Sequence, residues 1–381
     1  MIYLDHAAST KVLPEVLEAI LPYFFEKFAN PSSLYKPGQE SHHALNSARK
    51  QIAGFLHTSQ NEILFTGGAS ESIATCLFSA AHALKSKGNH IIISAIEHSS
   101  TLMVAKRLEE EGFEVTYLKP LNDGIISPKM VEDALLPTTV LVSIMYVNNE
   151  IGTIQPISEI GKMLELKNIF FHTDASQAFP YLLCHVDELH VSAMTLVGYK
   201  FGAPKGIGLL YYSKNFPFIS LIPGHQEFEM RGGTQNVPYI IGLAKAMEIT
   251  ERDREKNVKY ISDLRNYTLT LLQKFIPNIV VNGSMEDRVA NNLSVAFLGT
   301  NGETLVIRLD LDGICVSQGS ACTSDNKELS HVLMAIDVPE EEAVATLRIT
   351  LGVENTKEDI DTFVARLAYH VGQIRHMNIT Y

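Results

Sequence analysis

Between about residue 60 and residue 213, short β-rich runs alternate with helical stretches, and this alternation constrains the fold more than any other feature of the chain. The runs lie near residues 62–65, 90–94, 115–118, 140–145 and 169–172, and each is followed by a polar or glycine-containing turn. Several lead into helix-like stretches, such as residues 72–87 and 157–166. Apolar strands joined through helices predict a mostly parallel sheet covered on both faces.

After Pro238 the pattern changes to one long helix reaching about Phe275. A β-rich run at 292–297, a helix near 303–309 and a last helix near 358–375 follow. These predict a large α/β domain over 15–254 and a smaller C-terminal α+β domain over 255–381. At 381 residues and 46% hydrophobic, the chain has enough apolar material for at least one large core.

The formal net charge is −12 with no offsetting basic tract, which argues against direct nucleic-acid binding. No apolar stretch approaches the roughly 18 uninterrupted residues of a membrane span. The opening Met1-Ile2-Tyr3-Leu4-Asp5 lacks a secretory signal pattern, so the expected compartment is the cytoplasm. Four cysteines, Cys76, Cys184, Cys315 and Cys322, are too few for a disulfide framework in a chain this long. Neither C-x-x-C nor H-E-x-x-H occurs, so no metal site is expected from motif.

Several constellations sit where strands end. Thr66-Gly67-Gly68-Ala69-Ser70-Glu71 follows a strand and opens a helix, so its backbone N–H groups and the Ser70 hydroxyl suit a phosphate. A plain serine-capped turn fits the same residues. Asp174 falls just beyond a strand, where ligands of parallel sheets collect, and Gln177 follows. A carboxylate there can keep a pyridine nitrogen protonated, although a helix-capping Asp is the alternative. Lys200 and Lys205 lie among apolar and glycine neighbours, where desolvation lowers an amine's pKa and frees it for a Schiff base. Position alone does not choose between them.

His98 follows another strand and suits either stacking on a cofactor ring or capping a helix. Asn148-Asn149-Glu150-Ile151-Gly152 is polar punctuation at the same sheet edge. Arg348 is a charge inside an apolar, strand-like run and needs a carboxylate, from the protein or from an amino-acid substrate. Small polar neighbours surround Cys322 in Val316-Ser317-Gln318-Gly319-Ser320-Ala321-Cys322-Thr323-Ser324, which predicts an accessible thiol. Cys76, Cys184 and Cys315 lie in apolar runs and read as packed core thiols. A sulfur nucleophile, a pyridinium partner and a Schiff-base amine are what an enzyme needs to take sulfur from an amino acid with pyridoxal phosphate.

Taken together, these blocks resemble the NifS/IscS-type cysteine desulfurases, within the fold-type-I, aspartate aminotransferase-like pyridoxal phosphate enzymes. The resemblance runs from Tyr3-Leu4-Asp5-His6-Ala7-Ala8-Ser9-Thr10 and Asn30-Pro31-Ser32-Ser33, through 147–152, to Met230-Arg231-Gly232-Gly233-Thr234 and the Cys322 segment. It implies that residues 1–14 join the small domain and that Lys200, not Lys205, carries pyridoxal 5'-phosphate. It further implies that Asp174 pairs with the pyridine nitrogen, Gln177 and Asn149 face the phenolic oxygen, and His98 stacks on the ring. By the same resemblance Ala69 and Ser70 hold the phosphate, with Thr234 reaching that of the other subunit of a homodimer. Asn149 also lies near the substrate, whose carboxylate Arg348 holds. The implied substrate is L-cysteine. Lys200 moves its α-proton, and Cys322 takes its sulfur as a persulfide for an acceptor protein serving iron–sulfur cluster or thiolation pathways.

Four positions depart from the family pattern. Val197-Gly198-Tyr199-Lys200 replaces the usual Ser-Gly-His-Lys, so a phosphate-binding hydroxyl is lost and Tyr199 stands as a substitute donor. Tyr35 replaces a frequent histidine and His225 a usual glycine. Val197 and Tyr35 are also similar to selenocysteine lyases, the alternative enzyme reading. A low-activity paralogue acting as a sulfur-transfer scaffold is the third.

Overall fold

The computed structural model describes residues 1–319 and 329–379; Cys322 lies outside the described residues. Strands β1 (Ile2–Tyr3), β2 (Ile63–Thr66), β3 (His90–Ser94), β4 (Glu114–Leu118) and β5 (Thr139–Ser143) come first. They are followed by β6 (Phe170–Asp174), β7 (Ala193–Val197) and β8 (Gly208–Tyr212). The C-terminal part adds β9 (Ile279–Val281), β10 (Asn292–Phe297), β11 (Ile314–Cys315) and β12 (Thr346–Thr350).

Seven strands form the large sheet in the order β2-β8-β7-β6-β5-β3-β4. All neighbours run parallel except β8, which is antiparallel to both β2 and β7. Strands β3, β5, β7 and β8 are buried along their whole length, so both faces must be covered. The period-2 alternation of a strand explains how. Ile92, Val142 and Leu209 point into one core cluster, while Ile91, Ile93, Leu141 and Leu210 point into the other.

The helix Val237–Phe275 links this layer to a second core. Ile240, Leu243 and Met247 of its first half pack in the cluster beneath the large sheet. Ile261, Leu264 and Leu272 of its second half pack with β10, β12 and the helix Lys357–Ile379. Strand β1 pairs in parallel with β11, which ties the N-terminus to this second core. The second core also has its own sheet, β12-β10-β9, antiparallel throughout.

Burial bears on the cysteines differently from their sequence context. Cys76 and Cys184 are buried, and desolvation pushes the Cys184 thiol up to about 12. Cys315 is only half-buried, because β11 is a two-residue edge strand.

Candidate active site

The C-terminal ends of β2, β3, β5, β6 and β7 open into one cavity of about 740 Å³, where a parallel sheet gathers its ligands. Ala69, Ser70, His98, Asn149, Asp174, Gln177, Tyr199, Lys200 and Arg348 all line it.

On one wall is the turn after β2. Gly68 precedes the helix Ala69–Leu84 without a side-chain cap, so the first helical N–H groups face the cavity. This turn lies close over β8. A Cβ on Gly208 would sit 2.6 Å from the Gly68 carbonyl carbon, so only glycine allows the approach. The Gly67 N–H donates to Glu71 Oε2 at 2.7 Å, and Arg231 Nε donates to Glu71 Oε1 at 2.8 Å. The arginine therefore neutralises this carboxylate beside the N–H cup.

At the floor, Asp174 ends β6 with 5% of its surface exposed, and its Oδ1 accepts the Ser176 N–H at 2.9 Å. Lys200 closes the single turn after β7. Its Nζ donates to the Ala7 carbonyl at 2.5 Å and the Ala8 carbonyl at 2.9 Å, and lies 4.7 Å from the centre of the Tyr199 ring. Gln177 Nε2 also donates to the Ala7 carbonyl, at 2.9 Å. The segment near Ala7 is thus a strap across the site, fixed further by the Ala7 N–H to Thr350 Oγ1 at 3.0 Å.

His98 takes the capping role that its sequence position allowed and also reaches the cavity. It caps the helix Ser99–Glu110, with Nδ1 accepting the Ser100 N–H at 3.2 Å, and it lines the cavity. Burial lowers its pKa, which keeps the imidazole neutral. Arg348, on β12 and 2% exposed, finds a protein carboxylate. Its Nη2 donates to Asp5 Oδ1 at 2.7 Å and its Nη1 to the Asn149 carbonyl at 3.2 Å. Its Nε is buried with no hydrogen-bond partner among the described residues.

Residues 2–363 match the aminotransferase class-V family. A cysteine desulfurase IscS from Clostridium botulinum is 42% identical over 380 residues, which cover 99% of this chain and 96% of the relative. The corresponding protein of Methanosarcina thermophila is 43% identical over 99% of this chain and 93% of its own. Among solved structures, a NifS-like protein superposes with a TM-score of 0.92 at 34% identity, over 97% of this chain and 99% of that one. SspA in complex with cysteine gives a TM-score of 0.82 at 36% identity, over 93% of this chain and 100% of that one.

The chain belongs to the NifS/IscS-type cysteine desulfurases.

As a NifS/IscS-type chain it has the aspartate aminotransferase-like fold type I, whose class binds pyridoxal phosphate. The residues present fit that cofactor: an N–H cup for a phosphate, a buried carboxylate and a lysine amine face the same cavity. Lys205 is not among the residues lining it. Nor is Thr234, which lines a separate cavity of about 130 Å³ that shares Gly67 with the first. Val197 does line the main cavity, at 1% exposure, so its isopropyl group replaces a hydroxyl at the wall itself.

Sequence reading missed His331 at the wall of this desulfurase site, and two residues that support it from behind, Ser330 and Glu97. His331 lines the cavity from the start of the helix His331–Ala335, its Nε2 2.9 Å from the Glu97 carbonyl oxygen. Ser330 caps that helix and donates to Glu150 Oε2 at 2.5 Å. The pair Ser330-His331 was the available signal, an N-cap serine opening a helix. Glu97 lies fully buried, with Oε1 accepting the Met145 N–H at 2.6 Å; desolvation holds its pKa well above the usual carboxylate range.

Proposed function

We propose that this chain removes sulfur from L-cysteine with pyridoxal phosphate, giving L-alanine and a persulfide on Cys322. The observation that carries this reading is the convergence of Asp174, Lys200, His98 and Arg348 on one cavity in a chain of this family. When bound, the cofactor supplies an electron sink next to the substrate α-carbon.

In this reading Lys200 would be the residue that holds the cofactor covalently, and its amine, when not so engaged, donates to the Ala7 and Ala8 carbonyls. The freed amine then moves the substrate α-proton. Asp174 would keep the pyridine nitrogen protonated, Gln177 and Asn149 would serve the phenolic oxygen, and neutral His98 would flank the ring. The N–H groups at Ala69 and Ser70 receive the phosphate, with Tyr199 nearby. Arg348 binds the substrate carboxylate through donors that Asp5 and the Asn149 carbonyl leave unused. The Cys322 thiolate attacks the substrate sulfur. One C–S bond breaks and one S–S bond forms, and the released electron pair, with protons, ends in the methyl group of alanine.

The working unit is a cytoplasmic homodimer, with Thr234 serving the phosphate of the other subunit and an acceptor protein taking the sulfur. Exposed Leu17, Leu21, Phe24, Phe25, Phe28 and Leu34 support a second copy covering this stretch. The free thiols of Cys76, Cys184 and Cys315 support a reducing compartment, and no helix among the described residues is long and apolar enough to cross a membrane. The chain divides into a large domain, 15–254, and a small domain of 1–14 with 255–381. In support, the long helix changes cores between Ile249 and Ile261.

Assay of alanine from L-cysteine, alongside the visible cofactor band, tests the reading. Lys200→Ala is expected to be colourless and inactive, and Lys205→Ala coloured. Unchanged colour in Lys200→Ala contradicts the assignment.

A further inference from the structure

Away from the cavity, two histidines from distant parts of the chain meet face to face. His57 follows the helix Lys36–Phe55, and His185 precedes the short helix Val186–Leu189. Their rings stack with centroids 3.6 Å apart and planes 14° apart. The contact is built on fixed backbone. The Val186 N–H donates to the Leu56 carbonyl at 3.0 Å, and Leu56 and Val186 are both core residues. His57 holds a left-handed φ of 54°, a conformation uncommon for a side chain of this size.

Two carboxylates complete the cluster. His185 Nδ1 lies 3.1 Å from Glu188 Oε1, and His57 Nδ1 lies 3.5 Å from Asp187 Oδ1. The cluster thus sets two imidazole rings and two carboxylates side by side, all donor types that transition metals accept. One ligand atom each from His57, His185 and Glu188 lies within 4.8 Å of the others. A tetrahedral shell needs separations of roughly 3.3 Å, and the exposed Glu188 and His57 side chains have open space beside them in which to turn toward His185.

We propose that His57, His185 and Glu188 form a site for a divalent transition-metal cation, with Asp187 beside it and water filling the remaining positions. Imidazole and carboxylate donors without thiolate suit zinc, nickel or copper rather than magnesium or calcium. A bound cation would clip the end of the helix Lys36–Phe55 to the segment carrying His185, both of which border the core beneath the large sheet.

Calorimetric titration of the untagged protein with Ni²⁺ tests this. One cation per chain is expected, with His57→Ala and His185→Ala each weakening binding by about tenfold or more. Glu188→Gln, an exposed change that spares the fold, should weaken it as well. Cys322→Ala should leave it unchanged. No saturable binding overturns the site, as does binding that survives both histidine changes. Binding lost only in Cys322→Ala also overturns it, because the cation then sits on the thiol.

Discussion

Asp5 and Arg348 form an ion pair 2.7 Å across, joining the N-terminal strap to β12 beneath the cavity. Only 3% of the Arg348 side chain is exposed, so this carboxylate offsets the cost of burying its charge. The pair fixes the guanidinium at the cavity wall and holds the strap whose carbonyls receive Lys200; in the proposed function this is the group that binds the substrate carboxylate. Asp5→Asn keeps the shape and removes the charge. We expect a loss of about 2 kcal/mol in urea unfolding and a KM for cysteine raised about tenfold, with kcat changed less. An unchanged KM would mean that Arg348 does not bind substrate.

Acid should weaken the fold in part through one histidine. His172 on β6 is fully buried, with Nδ1 2.8 Å from Ser143 Oγ and Nε2 2.9 Å from Thr195 Oγ1. Burial lowers its pKa to about 3, against about 6.5 unfolded. The unfolded chain therefore takes up a proton that the folded chain refuses as pH falls between those values. Stability from this site is complete above about pH 6.5 and falls by up to about 1.4 kcal/mol per pH unit below it. Urea midpoints at pH 7, 6 and 5 should show the slope, and His172→Gln should flatten it. His6, His90 and His98 are lowered in the same direction and add to the wild-type trend.

Glu227, Phe228 and Glu229 take consecutive left-handed conformations, with φ of 48°, 58° and 66°. The turn is held by Glu227, which pairs with Arg49 at 2.6 Å and accepts the Phe65 N–H at 3.0 Å. Glu229 is exposed and makes no comparable contact among the described residues. Glu229→Gly is expected to raise stability by about 1 kcal/mol by relieving backbone strain. A drop in the urea midpoint would show that the side chain contributes more than the strain costs.

Much of the large sheet was legible because β3 and β5 are short apolar runs bounded by polar turns, and the helix Ile157–Leu166 keeps its period. The placement of Asp174, Gln177 and Lys200 at strand ends was legible for the same reason, although β6 runs on to Asp174 itself rather than stopping before it. The reversal of β8 was not, because its direction depends on how the short 201–207 connection folds back rather than on its own residues. Asp5 as the partner of Arg348, and His57 beside His185, are contacts across most of the chain and a third of it respectively. No local pattern reports such pairs. Cys322, expected from its small polar neighbours, lies outside the described residues.

Val197 offers a direct check on the cofactor cup. Val197→Ser places a hydroxyl at the cavity wall, where it can donate to a phosphate dianion. Dialysis should strip pyridoxal phosphate from the variant several-fold more slowly, by about 1 kcal/mol or more of added retention. Equal loss from both proteins would show that Tyr199 or the N–H cup already satisfies that oxygen.

In the proposed function Cys322 receives the substrate sulfur. Of the other three thiols, Cys76 and Cys184 are buried, and burial raises the pKa of Cys315 as well, so all three are poor nucleophiles near neutral pH. Peptide mass spectrometry after a brief incubation with L-cysteine measures the transfer directly. The account predicts about one added sulfur on the peptide holding Cys322, and almost no alanine from Cys322→Ala even though that variant keeps its cofactor band. Near-normal alanine release by Cys322→Ala, or the added sulfur on another cysteine, would contradict it.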